Sequence, residues 1–346
     1  MSPYAFSMLI SSLSTGTVIT FISNHWFLAW MGLELNTLAM IPLMSKTHHP
    51  RAAEAATKYF LTQAAASALL LFATTLNAWY TGEWTISCMQ NTTPTLMLMI
   101  ALMIKLAVAP FHMWLPDVVQ GLDLMTCLIL LTWQKLAPMT LLIQIGPELN
   151  PMLLTTFGVL SIILGGWGGL NQPQIRKIMA YSSIAHLGWM TVVLTYSPQL
   201  TIFNLLLYLL MTTAMFVMSL NIASTNINKM ATSWMKYSSL TSAMMIILMS
   251  LGGLPPTSGF MPKWLILEEL VKQNMTLIAI IMAMSALLSL FFYLRLSYAT
   301  SLTTPPSTQN LKLLWQLNGF NYKMMPMTII ISTMLLPILP AILNLF

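Results

Sequence analysis

The stretch from Lys105 to Asp117 reads KLAVAPFHMWLPD and places a lysine, a histidine and two prolines in a segment that is apolar up to the aspartate at its end. Pro110 and Pro116 lack a backbone N–H and clash with the preceding turn, so an α-helix cannot run through them unchanged. Inside a membrane, unpaired backbone is tolerated only where it is buried in protein or lines a wet cavity. The stretch therefore predicts a broken helix that surrounds a polar site.

The composition indicates that this broken helix lies in a membrane. Charged residues make up 6% of the 346 residues, whereas a soluble domain carries about 25%. Hydrophobic residues make up 57%, and the mean hydropathy is +0.76. So few charges cannot cover the surface of a water-soluble fold. The 14 Lys and Arg residues form no basic stripe despite the net charge of +6, so nucleic acid is excluded as a partner.

Eleven segments are long and apolar enough to cross a hydrocarbon core of about 30 Å. The predicted fold is an all-α polytopic membrane protein whose spans cover residues 3–23, 25–45, 57–79, 95–116, 124–145, 151–170, 177–196, 200–223, 238–268, 275–295 and 324–344. The N-terminal segment is interpreted as the first span and not as a signal peptide. With the N-terminus inside, the inside loops hold ten of the fourteen Lys and Arg residues and the outside loops hold one. This asymmetry predicts that the N-terminus lies on the negative side of the membrane.

A second interruption lies in the ninth span. The stretch from Leu251 to Trp264 reads LGGLPPTSGFMPKW and contains three prolines and three glycines. The fourth and ninth spans are five apart, so they cross the membrane in opposite senses, as in transporters built from inverted repeats. The sequence predicts one transmembrane domain, 1–346, with a first five-helix repeat over 1–145, an inverted repeat over 151–297, and a surface segment and last helix over 298–346.

Four charged residues lie inside predicted spans: Glu34, Lys105, Lys135 and Lys263. A charge at the bilayer centre costs about 2.5–3.5 kcal/mol on insertion scales. Snorkelling suits residues near helix ends, and a structural ion pair could satisfy only one of three lysines with the single carboxylate. Burial disfavours the charged form of lysine, so a buried lysine with access to water can take up and release protons. We therefore interpret these four residues as a proton relay.

Five further residues are predicted to assist the relay. His112 and His186 lie at membrane depth, and histidine is the side chain that titrates nearest neutrality. Each histidine alone is also compatible with an ordinary core residue. Pro110, Pro255 and Pro256 break the two helices.

The two cysteines, Cys88 and Cys127, are 39 residues apart in the sequence and fit no zinc, disulfide or iron–sulfur pattern. No nucleotide-binding fingerprint follows a predicted strand. We therefore expect that this chain itself binds no metal and no redox cofactor.

Three stretches resemble the antiporter-like membrane subunits of respiratory complex I. They are KLAVAPFHMWLPD at 105–117, QIRKIMAYSSIAHLG at 174–188 and LPPTSGFMPK at 254–263. The resemblance covers the whole chain, and its length, its spans and its 31 methionines are similar to those of a mitochondrially encoded vertebrate member, such as a mammalian one. It implies a multi-pass protein of the mitochondrial inner membrane, with the N-terminus in the matrix and the C-terminus in the intermembrane space.

The resemblance also implies a role for each charged residue. Glu34 matches the family's carboxylate on the helix beside the first broken one, and Lys105 matches the lysine of that broken helix. Lys135 matches the bridging lysine of the next helix, and Lys263 matches the ionisable residue of the second broken helix. The chain departs from the family in two ways: relatives usually have fourteen spans, and the second repeat has no counterpart of Glu34, with only His186 nearby.

By this resemblance the chain is a proton-translocating subunit of complex I that carries no redox chemistry of its own. The resemblance implies that NADH, FMN, iron–sulfur clusters and ubiquinone are bound in partner subunits. The partners it implies are the other membrane-arm subunits, including neighbouring antiporter-like subunits, and the phospholipids of the bilayer. Moving a charge against the membrane potential costs about 2.3 kcal/mol per 100 mV. Pumping therefore needs a drive from the partner subunits, which we expect to act through hydration and charge pairing along the relay.

Two other functions remain open at this point. A stand-alone cation/proton antiporter resembles the same family, although sodium sites favour several carboxylates and carbonyls and only Glu34 is central. A structural spacer with vestigial charges is the second alternative. In that case neutralising the central lysines would affect assembly and leave pumping by the assembled complex intact.

Overall fold

The computed structural model describes residues 2–89, 91–235, 238–301 and 325–334, and every regular element in these ranges is a helix. The α-helices of the described residues are α1 (Pro3–Ile22), α2 (Trp26–Met44), α3 (Pro50–Thr81), α4 (Thr92–Leu106), α5 (Trp114–Gly121), α6 (Leu124–Leu131), α7 (Trp133–Ile145), α8 (Pro151–Gly169), α9 (Ile175–Val193), α10 (Pro198–Ile222), α11 (Ile227–Thr232), α12 (Ser238–Gly252), α13 (Phe260–Lys272), α14 (Thr276–Ser301) and α15 (Met325–Met334). Three 3₁₀ turns cover Ser45–Thr47, Gly146–Glu148 and Ser233–Met235.

Seven helical segments of the described chain are long and apolar enough to cross a membrane. They are Pro3–Ile22, Trp26–Thr47, Pro50–Thr81, Leu124–Glu148, Pro151–Gly169, Pro198–Ile222 and Thr276–Ser301. Two shorter apolar helices, α4 and α12, are the first halves of the predicted fourth and ninth spans. The chain is therefore an all-α polytopic membrane protein. Most of the predicted surface segment, and the predicted last span apart from α15, lie outside the described residues.

Both predicted interruptions are present. The fourth span ends as a helix at Leu106 and resumes at Trp114, and Ala107 takes a left-handed conformation with φ +61°. The ninth span ends at Gly252 and resumes at Phe260, and Gly253 has φ +81°, which a residue without Cβ adopts at little cost. Prolines in both segments prevent a continuous hydrogen-bond ladder, which explains why the breaks could be predicted.

The fifth predicted span, 124–145, corresponds to the helical segment Leu124–Glu148, which contains one local break. Helices α6 and α7 are separated at Thr132, whose backbone has φ −110° and ψ −69°. The Thr132 hydroxyl donates to the Leu128 carbonyl at 2.6 Å, a back-bond that competes with the helix ladder and bends helices. Pro138 within α7 removes one more backbone donor.

Helix α3 extends further than the predicted span 57–79. It has 32 residues because a charged N-terminal part precedes the apolar part. In that part Lys58 pairs with Glu54 at 2.8 Å and with Asp117 of α5 at 3.3 Å, and all three side chains are exposed. Such exposed pairs contribute about 0–1 kcal/mol each, so they position α5 beside α3 and add little to stability.

The chain divides into two compact units. The first unit contains residues 1–161 and 194–198, and the second contains residues 162–193 together with the described residues from 199 onward. The first unit includes the broken helix α4–α5, and the second includes the broken helix α12–α13. The two groups of charged residues that the sequence singles out therefore belong to different units.

Small residues allow a close helix contact in the first unit, between α1 and α2. A Cβ atom added to Gly32 would lie 2.8 Å from the Gly16 carbonyl oxygen and 2.6 Å from Thr20 Cγ2. Membrane helices pack closely through such residues because water supplies no hydrophobic drive between them. The contact also matters for the site, because a Cβ on Gly16 would lie 2.4 Å from Asn36 Oδ1.

We expect Gly32→Val to reduce the amount of folded, membrane-assembled chain. The added side chain must displace backbone of α1, and overpacking of this kind costs about 1–3 kcal/mol. The yield on a native gel measures the effect. Met31→Val, at the neighbouring exposed position of α2, is the matched control and should give the ordinary yield. Equal yields for the two variants would contradict the packing account.

Candidate proton-relay site

A small buried cavity in the first unit brings Lys105 of α4 and Lys135 of α7 to the same space. We call it the first-unit cavity, and its polar lining consists of Asn36, Thr37, Tyr59, Gln63, Lys105, Gln134 and Lys135. About 20 Å³ of it is open to the centres of water molecules, and roughly 10–15 Å³ is enough to hold one water. Residues from six consecutive helices, α2 to α7, line this cavity.

Lys105 occupies the last turn of α4, directly before the break. The side chain is 7% exposed, and its Nζ has no hydrogen-bond partner among the described residues. The break is held by Trp114, whose indole N–H donates to the Ile104 carbonyl at 3.1 Å. A cation at a helix C-terminus is favoured by the helix dipole, so the end of α4 stabilises the charge that Lys105 can carry.

Unsatisfied amide groups surround the same cavity. The Asn36 side-chain nitrogen and oxygen and the Gln63 side-chain nitrogen are buried and make no hydrogen bond within the described chain. Leaving a buried polar group unpaired costs about 1–3 kcal/mol, and water in a polar cavity of sufficient size can supply the missing bonds. The cavity is therefore chemically suited to hold water between two buried amines.

Glu34 of α2 lies beside this cavity and is partly buried. Its Oε2 accepts a hydrogen bond from the Thr37 hydroxyl at 3.0 Å, and Thr37 itself lines the cavity. Glu34 and Lys105 therefore both lie next to the first-unit cavity, and their electrostatic coupling stays a prediction.

Lys135 lies in the first turn of α7, three residues after the Thr132 break, and is 4% exposed. Its neighbour Gln134 donates from Nε2 to the Asn36 carbonyl at 3.2 Å. This bond ties α7 to α2 and fixes the register that directs Lys135 towards the cavity. His112 lies within the α4–α5 break and is buried, but it is not part of the cavity lining.

In the second unit, Lys263 joins the two halves of the broken helix. Its Nζ donates to the Gly252 carbonyl at 2.8 Å and approaches the Leu251 carbonyl at 3.5 Å. These carbonyls belong to the C-terminal end of α12, where a cation is favoured. A Cβ atom on Gly253 would lie 2.8 Å from Nζ, so glycine is needed there for the approach as well as for its positive φ.

The other predicted residues of the second unit fall into two places. Pro255 and Pro256 lie in the non-helical segment between α12 and α13. His186 lies on α9, is 6% exposed, and its ring centroid is 5.4 Å from that of Tyr208 on α10. The structure therefore brings Glu34, Lys105 and Lys135 together in one unit, and places Lys263 and His186 in the other.

Sequence reasoning missed three amides of the first-unit cavity, Asn36, Gln63 and Gln134. Each is a polar residue in an apolar span, and that is the signal that could have found them. A lone amide in a span also commonly packs against a neighbouring helix. The sequence alone therefore does not distinguish an amide that lines a cavity from an amide that joins two helices.

Comparisons with known proteins identify the family of the chain and agree with its fold. Residues 23–289 match the family described as NADH:quinone oxidoreductase/Mrp antiporter, TM. Residues 290–343 match the family described as NADH dehydrogenase subunit 2 C-terminus. Together the two matches cover nearly the whole chain, including every predicted relay residue.

Individual relatives extend this agreement. The chain is 55% identical over 344 residues to NADH-ubiquinone oxidoreductase chain 2 of Salmo salar, covering 99% of this chain and 98% of the relative. It is 56% identical over 343 residues to the same chain of Squalus acanthias, covering 99% of each. A chain of the solved structure of respiratory complex I from Thermus thermophilus with bound aureothin is similar with TM-score 0.82 and 28% identity, over 89% of this chain and 73% of that chain. The relatives confirm the predicted vertebrate resemblance, and the mammalian one remains a prediction.

Proposed function

The chain belongs to the family of NADH-ubiquinone oxidoreductase chain 2, and from this membership we infer that it is a proton-translocating membrane subunit of NADH:ubiquinone oxidoreductase, respiratory complex I. NADH oxidation and ubiquinone reduction take place in partner subunits that hold FMN and the iron–sulfur clusters. The contribution of this chain is proton transfer across the membrane, driven by the energy of that reaction.

The observation that carries this proposal is the first-unit cavity. Two buried lysines and three amides share it, and the carboxylate of Glu34 is hydrogen-bonded to Thr37 of its lining. In a solely structural core such groups would be paired with one another, because unpaired buried polar groups are costly. Here the Lys105 amine, the Asn36 amide and the side-chain nitrogen of Gln63 make no hydrogen bond within the described chain. An arrangement of this kind is suited to groups that exchange protons with water.

The proposed transfer begins with a change of charge at Glu34. When its carboxylate is neutralised, the Lys105 ammonium loses a stabilising partner and releases its proton into the cavity. Lys135, on the same cavity, accepts it. In the second unit Lys263 takes up and releases protons at the end of α12, where the helix dipole favours its charged form. Charge pairing and hydration thereby convert energy supplied by the partner subunits into movement of protons.

The proposed architecture accommodates this relay. Eleven spans form an inverted pair of five-helix repeats, 1–145 and 151–297, followed by one appended span. The breaks α4–α5 and α12–α13 occupy corresponding positions in the two repeats, as in transporters whose sites lie at interrupted helices. The excess of Lys and Arg in one set of loops supports an N-terminus in the matrix and a C-terminus in the intermembrane space.

The proposal also concerns location and partners. The chain resides in the mitochondrial inner membrane, beside other antiporter-like subunits of the membrane arm and in contact with bilayer phospholipids. The exposed apolar side chains of α1 and α14 support a surface that meets lipid or other apolar helices, as Tyr4, Met8, Leu277 and Ile280 are each more than 60% exposed.

A native gel of mildly solubilised membranes tests the proposed assembly. We expect the chain, detected with an antibody, only in the large band that stains for NADH dehydrogenase activity. A chain that migrates alone, free of that activity, would instead support a stand-alone antiporter. In that case proton flux driven by a cation gradient, with no NADH present, becomes the assay.

A further inference from the structure

Arg295, two turns before the end of α14, is a cation that the lysine relay leaves without a role. Its side chain is partly buried, and its Nη2 donates to the Gln172 carbonyl at 2.7 Å. Its Nε is buried and makes no hydrogen bond in the described chain. No carboxylate of the described residues forms an ion pair with it. Because an uncompensated charge is costly to bury, the guanidinium needs an anion from outside the described residues.

Close packing of α8 against α14 fixes the position of this guanidinium. A Cβ atom on Gly169 would lie 2.8 Å from Phe292 Cδ1, so the two helices are in direct contact there. Gln172 and Arg295 each follow three residues later, and residues three or four apart lie on the same face of a helix. The Arg295–Gln172 hydrogen bond therefore continues the α8–α14 contact and holds the guanidinium at its end.

Hydrogen bonds between two loops bring further cations to the same end of the second unit. The Ile175 N–H donates to the Thr225 carbonyl at 3.1 Å, and the Ile227 N–H donates to the Pro173 carbonyl at 3.1 Å. Helix α11, which follows the second of these loops, also packs against α14. We call the resulting group of cations the basic end. It consists of Arg176 and Lys177 at the start of α9, Lys229 in α11 and Arg295 in α14.

The sequence supplies no acidic residue near these cations. The chain has eight Asp and Glu residues, and none lies in 149–267 or 270–346. The first unit differs at the loops that are predicted to face the same side, because Lys58 there pairs with Glu54 and Asp117. The preference of one side of a membrane for Lys and Arg gives little weight to Asp and Glu. It therefore does not explain why the two units differ in carboxylates.

Exposed aromatic side chains lie on the two helices that hold Arg295. Trp167 of α8 is 68% exposed, and Phe291 and Tyr298 of α14 are 58% and 55% exposed. Tryptophan and tyrosine are enriched where the acyl chains of a membrane meet its headgroups. A ligand with a negative headgroup and an apolar chain matches both the cations and these aromatic side chains, whereas an acidic protein segment matches only the cations.

We propose that the basic end binds the phosphate of an anionic phospholipid, with Arg295 as the principal contact. The planar guanidinium presents several donors in a geometry that matches phosphate, and Lys229, which is exposed, adds positive charge beside it. The acyl chains lie along the exposed aromatic side chains of α8 and α14. The inference rests on the membrane location in the proposed function, and it does not depend on the lysine relay.

Photolabelling of the intact complex tests the proposal. The probe is phosphatidylglycerol with a photoactivatable acyl chain, present below saturation in vesicles of phosphatidylcholine, and labelled peptides of this chain are identified by mass spectrometry. We expect label on α8 and α14, reduced about tenfold in Arg295→Gln, since the variant loses charge-assisted hydrogen bonds. Lys272→Gln, which changes an exposed lysine of α13, is the matched control and should keep the label. An Arg295→Gln complex that is labelled as strongly as the control would overturn the proposal.

Three comparisons identify the ligand. Equal labelling of α8 and α14 by photoactivatable phosphatidylcholine would show that the negative charge is not recognised, and would overturn the proposal. Excess inorganic phosphate should leave the labelling by phosphatidylglycerol unchanged. Displacement of the probe would assign the site to free phosphate and overturn the lipid assignment. If an acidic segment of a partner subunit covers the basic end, α8 and α14 stay unlabelled in the intact complex, which also overturns the proposal.

A second variant keeps the test decisive if Arg295→Gln fails to assemble. Lys229→Gln changes an exposed side chain of α11, so we expect ordinary assembly and labelling reduced about fivefold. Unchanged labelling of that variant would overturn the proposal. Labelling is measured without NADH, so its outcome is independent of pumping. Slow pumping by Lys105→Met with unlabelled α8 and α14 refutes only the lipid site, whereas normal pumping by Lys105→Met refutes the relay.

Discussion

Complex I that carries Lys105→Met is expected to assemble and to pump protons about tenfold more slowly than the unmodified complex, or slower still. Methionine has nearly the length and shape of lysine, so it fills the space that the 7% exposed side chain occupies. Its thioether cannot bind and release a proton. The variant therefore removes the chemistry of the first-unit cavity while it keeps the packing.

We expect the removal of this charge to leave the stability of the fold unchanged or to increase it. Lys105 Nζ makes no hydrogen bond in the described chain, so the substitution leaves no hydrogen-bond partner unsatisfied. A buried amine without a hydrogen bond carries a desolvation cost that an apolar side chain of similar volume does not carry. We expect at least the ordinary yield of complex on a native gel, together with slow acidification of vesicles on addition of NADH.

Lys46→Met is the matched control for this experiment. Lys46 is exposed after α2 and contacts the Phe6 ring at 5.3 Å, a contact worth about 0.5–1 kcal/mol. The same change of charge is made there, outside the cavity. A Lys46→Met complex that slows as much as Lys105→Met would mean that net charge, and not the buried amine, governs pumping.

Lys263→Met should also abolish most of the proton transfer, and it should disturb the local structure as well. The lysine donates to the Gly252 carbonyl at 2.8 Å at the end of α12. Methionine leaves that carbonyl without its donor, at a cost of about 1–3 kcal/mol. We therefore expect pumping reduced about tenfold or more and a lower yield of complex than for Lys105→Met.

Lys272→Met, on the same helix α13, is the control for Lys263→Met. Lys272 is exposed and pairs with Glu268 at 2.9 Å, so its loss costs about 0–1 kcal/mol. The yield of complex and the rate of acidification are measured for both variants. Ordinary pumping by assembled Lys263→Met complex would exclude Lys263 from the relay and leave it only a structural role at the break.

The broken helices and their lysines could be predicted because their signals are strong and local. A proline lacks the backbone N–H donor at any position in a helix. A lysine in an apolar span raises the free energy of membrane insertion whatever direction its side chain takes. Lys105 with Pro110, and Lys263 with Pro255 and Pro256, combine both signals within a few residues. No tertiary information is needed to notice them.

The rest of the candidate site depends on contacts between distant parts of the chain. Gln134 donates to Asn36 across 98 residues of sequence, and no periodicity relates the two positions. The break at Thr132 was missed because threonine is common in helices, and its back-bond to Leu128 is visible only in three dimensions.

The number of protons translocated per NADH oxidised, measured together with the turnover of NADH in sealed vesicles, tests the central claim most directly. The comparison is between complex that carries Lys105→Met and complex that carries Lys46→Met. If the buried amines of this chain transfer protons, the Lys105→Met complex shows a lower ratio, a lower turnover or both, and the Lys46→Met complex shows neither. An equal ratio and an equal turnover for the two variants would contradict the account, because protons would then cross the membrane without the first-unit cavity.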